Sequence, residues 1–363
     1  MKPMQQKNYL SEFIERSWPL ILMTLILLVI CLVVDFTAKD VFDYRSLERT
    51  VTEALIRIVL VVGIYIFIGN SGVISFGHIG FVCIGAYGTA MLTANVRLKS
   101  LNLTGLPDFI RFETYDVVTS ALAAGLLSAV VALVIGIALM RLSGIAASIA
   151  TFAFLAIIQT VYLNWDNVTG GAGSIARIPR YVDIWVAFGW VVVTMIAAWW
   201  FQRSKYGLSL KASRENEVAA KAAGVNIFRE RLIAFTISGF FCGIAGVLYA
   251  HYLGTITPNN FYLAMTFVAL SMLVVGGINS LSGAVMGVVV ITFVIEVLRQ
   301  AEKGVDIGEV EYALPSGVQE IALGVIMLLI LIFRSGGLTM NREIYWPFKS
   351  KTGAATSAMT RAS

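Results

Sequence analysis

Long apolar runs alternate along the chain with short polar clusters, and the runs have the length of membrane crossings. A helix needs ~20 mostly apolar residues to cross the ~30 Å hydrocarbon core. Trp18–Val34 contains no Asp, Glu, Lys or Arg and follows Lys2, Lys7 and Arg16. Asp35-Phe36-Thr37-Ala38-Lys39 lacks the small-residue pattern of a cleavage site, so this run is expected to be an uncleaved first helix. Ile58–Val96 continues for 39 residues without a formal charge and divides into two crossings at Gly69-Asn70-Ser71-Gly72. Val117–Met140 and Leu142–Trp165 give one crossing each around Arg141, and Ile184–Gln202 gives another. Leu232–Ile295 is a 64-residue uncharged stretch, enough for three helices, with breaks at Thr255–Phe261 and Gly276–Gly283. Tyr312–Phe333, with Glu320 as its one formal charge, completes ten. The expected fold is an all-α integral membrane protein of about ten transmembrane helices, with discontinuous segments near a pore.

Composition agrees. Hydrophobic residues make up 58% of 363 and charged residues 13%, about half the charge a soluble domain carries at ~25%. The net charge of +5 is no nucleic-acid footprint, because the basic residues cluster in loops and so report topology. With the N-terminus in the cytoplasm, the inner segments carry 16 Lys or Arg and the outer loops 10. This orientation divides the chain into a cytoplasmic N-terminus (1–17), a membrane domain (18–334) with a cytoplasmic loop at 202–231, and a tail (335–363) expected to be disordered. Cys31, Cys83 and Cys242 each sit inside an apolar run as small buried hydrophobes. No disulfide framework or metal-ligand spacing is present, and neither a metal nor a cofactor is expected.

Four polar interruptions carry the candidate chemistry. The first runs from Gly69 through Asn70, Ser71, Gly72, Ser75 and His78 to Tyr87. Backbone that leaves the helix at membrane depth survives only where protein or water satisfies it, as in a cavity wall; a surface turn with small residues for close packing explains the same letters. His78 is either a hydrogen-bonded structural residue or a pathway-lining group. The second, Leu210–Asn226, reads as one short helix of two to three turns, capped at its start by Ser213 with Asn216 and Glu217 and ended by Gly224. Its small side chains leave room for another protein, although a solvated connector is equally compatible. The third, Trp165–Ile175, is an outer glycine turn or a docking contact. The fourth, Val275–Gly283, resembles the first, and paired interruptions point to a transport site. Asn70, Ser71, Ser75, His78, Asn279 and Ser280 are therefore candidates for lining a substrate pathway. Gly239-xxx-Gly243 and Gly283-xxx-Gly287 have the spacing of close helix contacts. No phosphate-binding loop or catalytic cluster occurs, so the chain is not expected to be an enzyme.

Gly72–Tyr87 (GVISFGHIGF…IGAY), Thr169-Gly170-Gly171, Ser213–Gly224 (SRENEVAAKAAG) and Val275–Gly283 together resemble the branched-chain amino acid type of ABC importer permease, on the side of the LivM-like subunit. The resemblance covers about residues 54 to 335. It implies a bacterial inner-membrane, multi-pass permease with a LivH-like second permease subunit, two cytoplasmic ATP-binding subunits and a periplasmic substrate-binding protein. It also implies that Arg214, Glu215, Asn216, Glu217, Ala219, Ala220 and Gly224 form a coupling helix seated on an ATPase. Between Glu217 and Gly224 the chain is one residue longer than the general importer pattern, and Ser174 stands where the family often has Gly. A secondary transporter driven by an ion gradient is the rival reading. It should place ionisable groups in mid-span, where this sequence offers only Arg57 and His78.

Overall fold

The structure, a computed structural model, describes residues 9–37, 44–302, 305–307, 310–312, 317–334, 336–340 and 343–344. Residues 1–8 and 345–363, from the two expected terminal segments, lie outside the described residues. The helices in chain order are α1 (Tyr9–Thr37), α2 (Tyr44–Ser71), α3 (His78–Thr93), α4 (Val96–Asn102), α5 (Asp108–Arg111), α6 (Val117–Leu139), α7 (Gly144–Asn164) and α8 (Asp166–Thr169). They continue as α9 (Ile184–Arg203), α10 (Lys205–Glu215), α11 (Glu217–Ala222), α12 (Ile227–Leu253), α13 (Leu263–Gly276), α14 (Leu281–Glu302) and α15 (Val318–Phe333). Two short antiparallel pairs join β1 (Ile175–Ala176) to β2 (Thr255–Ile256) and β3 (Val305–Ile307) to β4 (Val310–Tyr312).

Among the described residues, eight helices are long and apolar enough to cross a membrane: α1, α2, α6, α7, α9, α12, α14 and the stretch Pro258–Gly276 that contains α13. The other two expected crossings coincide with α3 and α15, of 16 residues each. Sixteen residues span only ~24 Å, less than the ~30 Å core. Residues 72–77, which have no regular secondary structure, separate α2 from α3, so that second helix starts inside the bundle. The protein is an all-α integral membrane protein.

The centre is built from α2, α3 and α12. In α2, 78% of the apolar window is buried, whereas α1, α6 and α7 bury 28% each and leave Leu126, Val130, Ile145 and Ile149 facing outward. Close approach at the centre depends on glycine. A Cβ on Gly85 would land on the carbonyl of Gly243, and one on Gly246 on the carbonyl of Val82, which locks α3 to α12. The predicted Gly239-xxx-Gly243 face meets Ala132 and Ser128 of α6, and Gly283-xxx-Gly287 meets Gly276 and Met272 of α13. With lipid on one side and protein on the other, such van der Waals contact replaces the hydrophobic drive that water supplies to a soluble core.

The end opposite the 202–231 loop is closed by the α4–α5 segment and by the β1–β2 pair, which ties the Trp165–Ile175 turn to the end of α12. Lys99 is fully buried there, its ammonium donating to the carbonyls of Leu92 (3.2 Å), Ile110 (2.8 Å) and Glu113. Burial holds its pKa below the usual lysine range.

Two expectations change. The 210–226 segment is not one helix: α10 and α11 meet at Asn216, which is extended (φ −153°, ψ 104°). The cap is Asn216, whose side chain accepts from the Ala219 N–H at 3.0 Å, while Ser213 is buried and donates back to Leu210 at 2.8 Å. Tertiary contact of α10 with α2, α9 and α12 extends that helix back to a Ser204 cap. Secondly, residues 336–340 and 343–344, placed in the disordered tail from sequence, pack on the bundle. Leu338 and Thr339 donate backbone N–H groups to Val275 and Gly276, and Gly337 abuts Gly277.

Candidate functional site: the arm and the two helix breaks

The α2 break is set by Gly72, whose left-handed φ of +71° ends the helix as its N–H reaches the Ile68 carbonyl at 2.9 Å. A Cβ at Gly72 would strike the side-chain stem of Arg214 on α10. The second break lies between α13 and α14, where Gly277 takes φ +124° and Asn279 is half-buried. Arg214 joins them. Its Nη1 donates to the Gly69 carbonyl and to Asn279 Oδ1, both at 2.7 Å, while Nε and Nη2 contact Glu215 at 3.2 and 2.9 Å. A planar guanidinium can serve several acceptors at fixed angles, so one side chain from the arm holds both interruptions at the same end of the bundle.

Around this clamp the polar groups are mostly buried. Asn70 donates to Ile66 at 2.9 Å and its Oδ1 has no hydrogen-bond partner among the described residues. Ser71 accepts from Val73 at 3.2 Å. Tyr65 donates to Gln202 at 2.8 Å, tying α2 to the end of α9. Ser280 exchanges a hydrogen bond with Ser282 at 2.9 Å. At the start of α14, Glu343 accepts from the N–H groups of Leu281 (2.8 Å) and Ser282 (3.1 Å), the favourable place for a carboxylate against the helix dipole. Burial, then the charges of Arg214 and Arg203, push the Lys211 ammonium below its usual range against the pull of Glu343.

The remaining arm residues divide by role. Glu217 binds Lys221 at 3.0 Å and Arg231 at 3.3 Å, anchoring α11 to α12. The Lys221 hydrogen bond, with the Arg231 charge, holds Glu217 below the usual carboxylate range. Ala220 is buried, whereas Val218, Ala219, Ala222, Ala223 and Gly224 are exposed and present a small-sided surface. Gly224 adopts φ +83° with open space around it.

Ser75 and His78 lie apart from the clamp. Ser75 is buried and accepts from Gly77 at 3.4 Å. His78 is buried among Phe67, Phe235 and Phe81, with ring centroids at 5.6, 5.4 and 6.1 Å, beside the Ser75 backbone. None of the six predicted pathway residues lines the cavity of about 420 Å³ found between α2, α12, α13 and α15. Arg57 does; from sequence it is, with His78, an ionisable group in mid-span of the kind an ion-driven transporter would use. Glu343 and the Tyr65–Gln202 pair carried no local signal.

Comparison with known proteins places this arrangement in context. A family model described as branched-chain amino acid transport system / permease component matches residues 46–333. The chain is similar to the high-affinity branched-chain amino acid transport system permease protein LivM of Escherichia coli K12, with 28% identity over 91% of this chain and 78% of the relative. It is similar to a probable branched-chain amino acid transport permease LivM of Methanocaldococcus jannaschii, with 29% identity over 77% of this chain and 89% of the relative. It is also similar to the autoinducer 2 import system permease protein LsrC of Escherichia coli K12 (DH10B), with 26% identity over 67% of this chain and 72% of the relative. No solved structure matches.

Proposed function

The chain belongs to the permease family of branched-chain amino acid transport systems, and from that premise we propose that it is one transmembrane half of an ATP-driven importer in a bacterial inner membrane. The solute is a branched-chain amino acid or a related small amphipathic molecule. A second, LivH-like permease subunit completes the pathway, two cytoplasmic ATP-binding subunits supply the work, and a periplasmic binding protein delivers solute. The chain itself is a permease component and carries out no covalent chemistry.

The observation that carries this reading is the Arg214 clamp. The arm exposes a small-sided surface at α11 and, one helix earlier, grips both interrupted segments through a single guanidinium. An ATPase seated on Val218, Ala219 and Gly224 would therefore pull on Gly69 and Asn279 together. Glu217 makes the arm stiff by fixing α11 to Arg231 of α12. Alternating access follows as the two breaks move with the arm. Asn70, Ser71, Asn279 and Ser280 border the inner mouth of the pathway in this reading, with Ser75 and His78 above them.

The test is the double charge reversal Arg214→Glu with Glu217→Lys in the reconstituted complex. ATP-driven uptake is expected to fall by about tenfold or more while ATP hydrolysis persists. Unchanged uptake and unchanged coupling would remove the arm from the mechanism.

A further inference from the structure

Arg57 stands 14 positions before Ser71 on α2, about 21 Å along the helix and toward the outer end of the bundle, level with Tyr249 in the last turns of α12 and Met265 in the first turn of α13. A charge within an apolar span is a candidate functional position. It lines the 420 Å³ cavity with Leu60 and Tyr249 on one side and Met265, Met272 and Met327 on the other, a volume within the ~300–1,000 Å³ of small-molecule sites. Among the described residues its one hydrogen-bond partner is Glu53, a turn away on the same helix, and both side chains keep about a fifth of their surface exposed (20% and 22%). Four of the five N–H donors of an arginine fork therefore stay available on a group already aimed at an open space. The methionines provide an apolar wall that reshapes itself around different side chains. Ser271, also on the wall, spends its hydroxyl on the Met327 sulfur at 3.3 Å, a weak acceptor that a better one displaces.

We infer that this cavity is a solute-binding site in which Arg57 takes the carboxylate of a small acid with an apolar body, and Glu53 holds the guanidinium in place until the solute arrives. The inference rests on the permease reading above and names the chemistry of its site. A carboxylate accepts a bidentate pair of bonds from guanidinium, so the solute competes with Glu53 for Arg57. Removing the two charges then has opposite effects. Arg57→Gln removes the solute's partner. Glu53→Gln keeps an acceptor near Arg57 but removes the competing charge.

The experiment uses the complete transporter in nanodiscs with Ala264→Cys, an exposed position on the cavity wall, labelled by a small thiol reagent. L-leucine and phenylacetate are compared with their carboxamides as protectants. The expected result is that at least one acid slows labelling and its carboxamide does not. The concentration needed should rise about tenfold in Arg57→Gln and fall several-fold in Glu53→Gln. Equal protection by the carboxamides, protection by none of the four, or the same direction of change in both variants would overturn the assignment. ATP-driven uptake of L-leucine and phenylacetate by the wild-type complex is measured alongside in proteoliposomes. Normal uptake without protection refutes the site alone, whereas absence of ATP-driven uptake refutes the permease reading and the site with it.

Discussion

Arg214→Lys isolates the geometry of the clamp from its charge. Arginine makes two 2.7 Å bonds, to Gly69 and Asn279, and hydrogen bonds from a charged donor contribute about 1.5–3 kcal/mol each. The side chain is 23% exposed, so water screens it and the lower figure, about 1.5 kcal/mol per bond, applies. Both bonds leave one nitrogen, and a lysine ammonium lies one bond nearer the backbone than Nη1, so on a stem held at Gly72 it reaches one acceptor and not both. One bond is lost, which shifts the balance between clamped and released arm about tenfold, at ~1.4 kcal/mol per decade. The net charge and the stem packed on Gly72 are kept, so the complex should assemble with a thermal midpoint close to wild type. In proteoliposomes, solute moved per ATP hydrolysed should fall several-fold, with hydrolysis itself retained. Wild-type stoichiometry in Arg214→Lys would mean that the link to Gly69 and Asn279 transmits nothing.

Gly85→Ala should destabilise the membrane domain by about 2 kcal/mol or more, since its Cβ meets the Gly243 backbone rather than a side chain that can move; Gly189→Ala, with open space at its Cβ, should be neutral, and thermal unfolding in detergent reads both. Glu217 titrates below the ordinary carboxylate value of 4.5. Its contribution is therefore complete at neutral pH and is lost only as pH falls through that depressed value. Protection of α11 amides against hydrogen exchange, taken relative to the intrinsic rate at each pH, should stay constant from neutral pH down to that range and fall below it. Lys99→Met removes the donor shared by three carbonyls, leaving buried acceptors unsatisfied at a cost of about 1–3 kcal/mol; exchange in residues 96–113 should increase without change in the arm.

The positions of the apolar runs were legible because a lipid-facing helix must satisfy its backbone internally, which leaves long uninterrupted segments in the sequence. The two breaks and the arm could be seen for the same reason: glycine, serine and charge stand out against such a background. What could not be read was contact. Serine and asparagine are both good caps, and Asn216 rather than Ser213 became the cap because α10 is held against α2, α9 and α12. The β1–β2 pairing joins residues 175–176 to 255–256 with no periodic signal in either. Glu343 sits in a polar segment that composition alone assigns to a loose tail, yet the free N–H groups at the start of α14 capture it. Arg57 was visible as a misplaced charge, but the cavity that gives it meaning exists only after α13 and α15 are packed.

Arm and cavity share one seam. On one side, α2, α3 and α12 are joined through glycine contacts that reach main-chain atoms; on the other, α13 and α14 are joined by Gly276, Gly283 and Gly287 in the same manner. Neither group has slack, because close-packed interfaces deform little before they shift as units. In the proposed transport cycle, motion falls at the seam between them. Arg214 bridges that seam at one end, from the last turn of α2 to Asn279. The cavity lies along it, with Arg57 and Leu60 of α2 facing Met265 and Met272 of α13. In that proposed cycle, a displacement of α13 and α14 relative to α2, applied at the clamp, changes the cavity's width about 21 Å away along α2, with no chain of intermediate side chains needed to relay it.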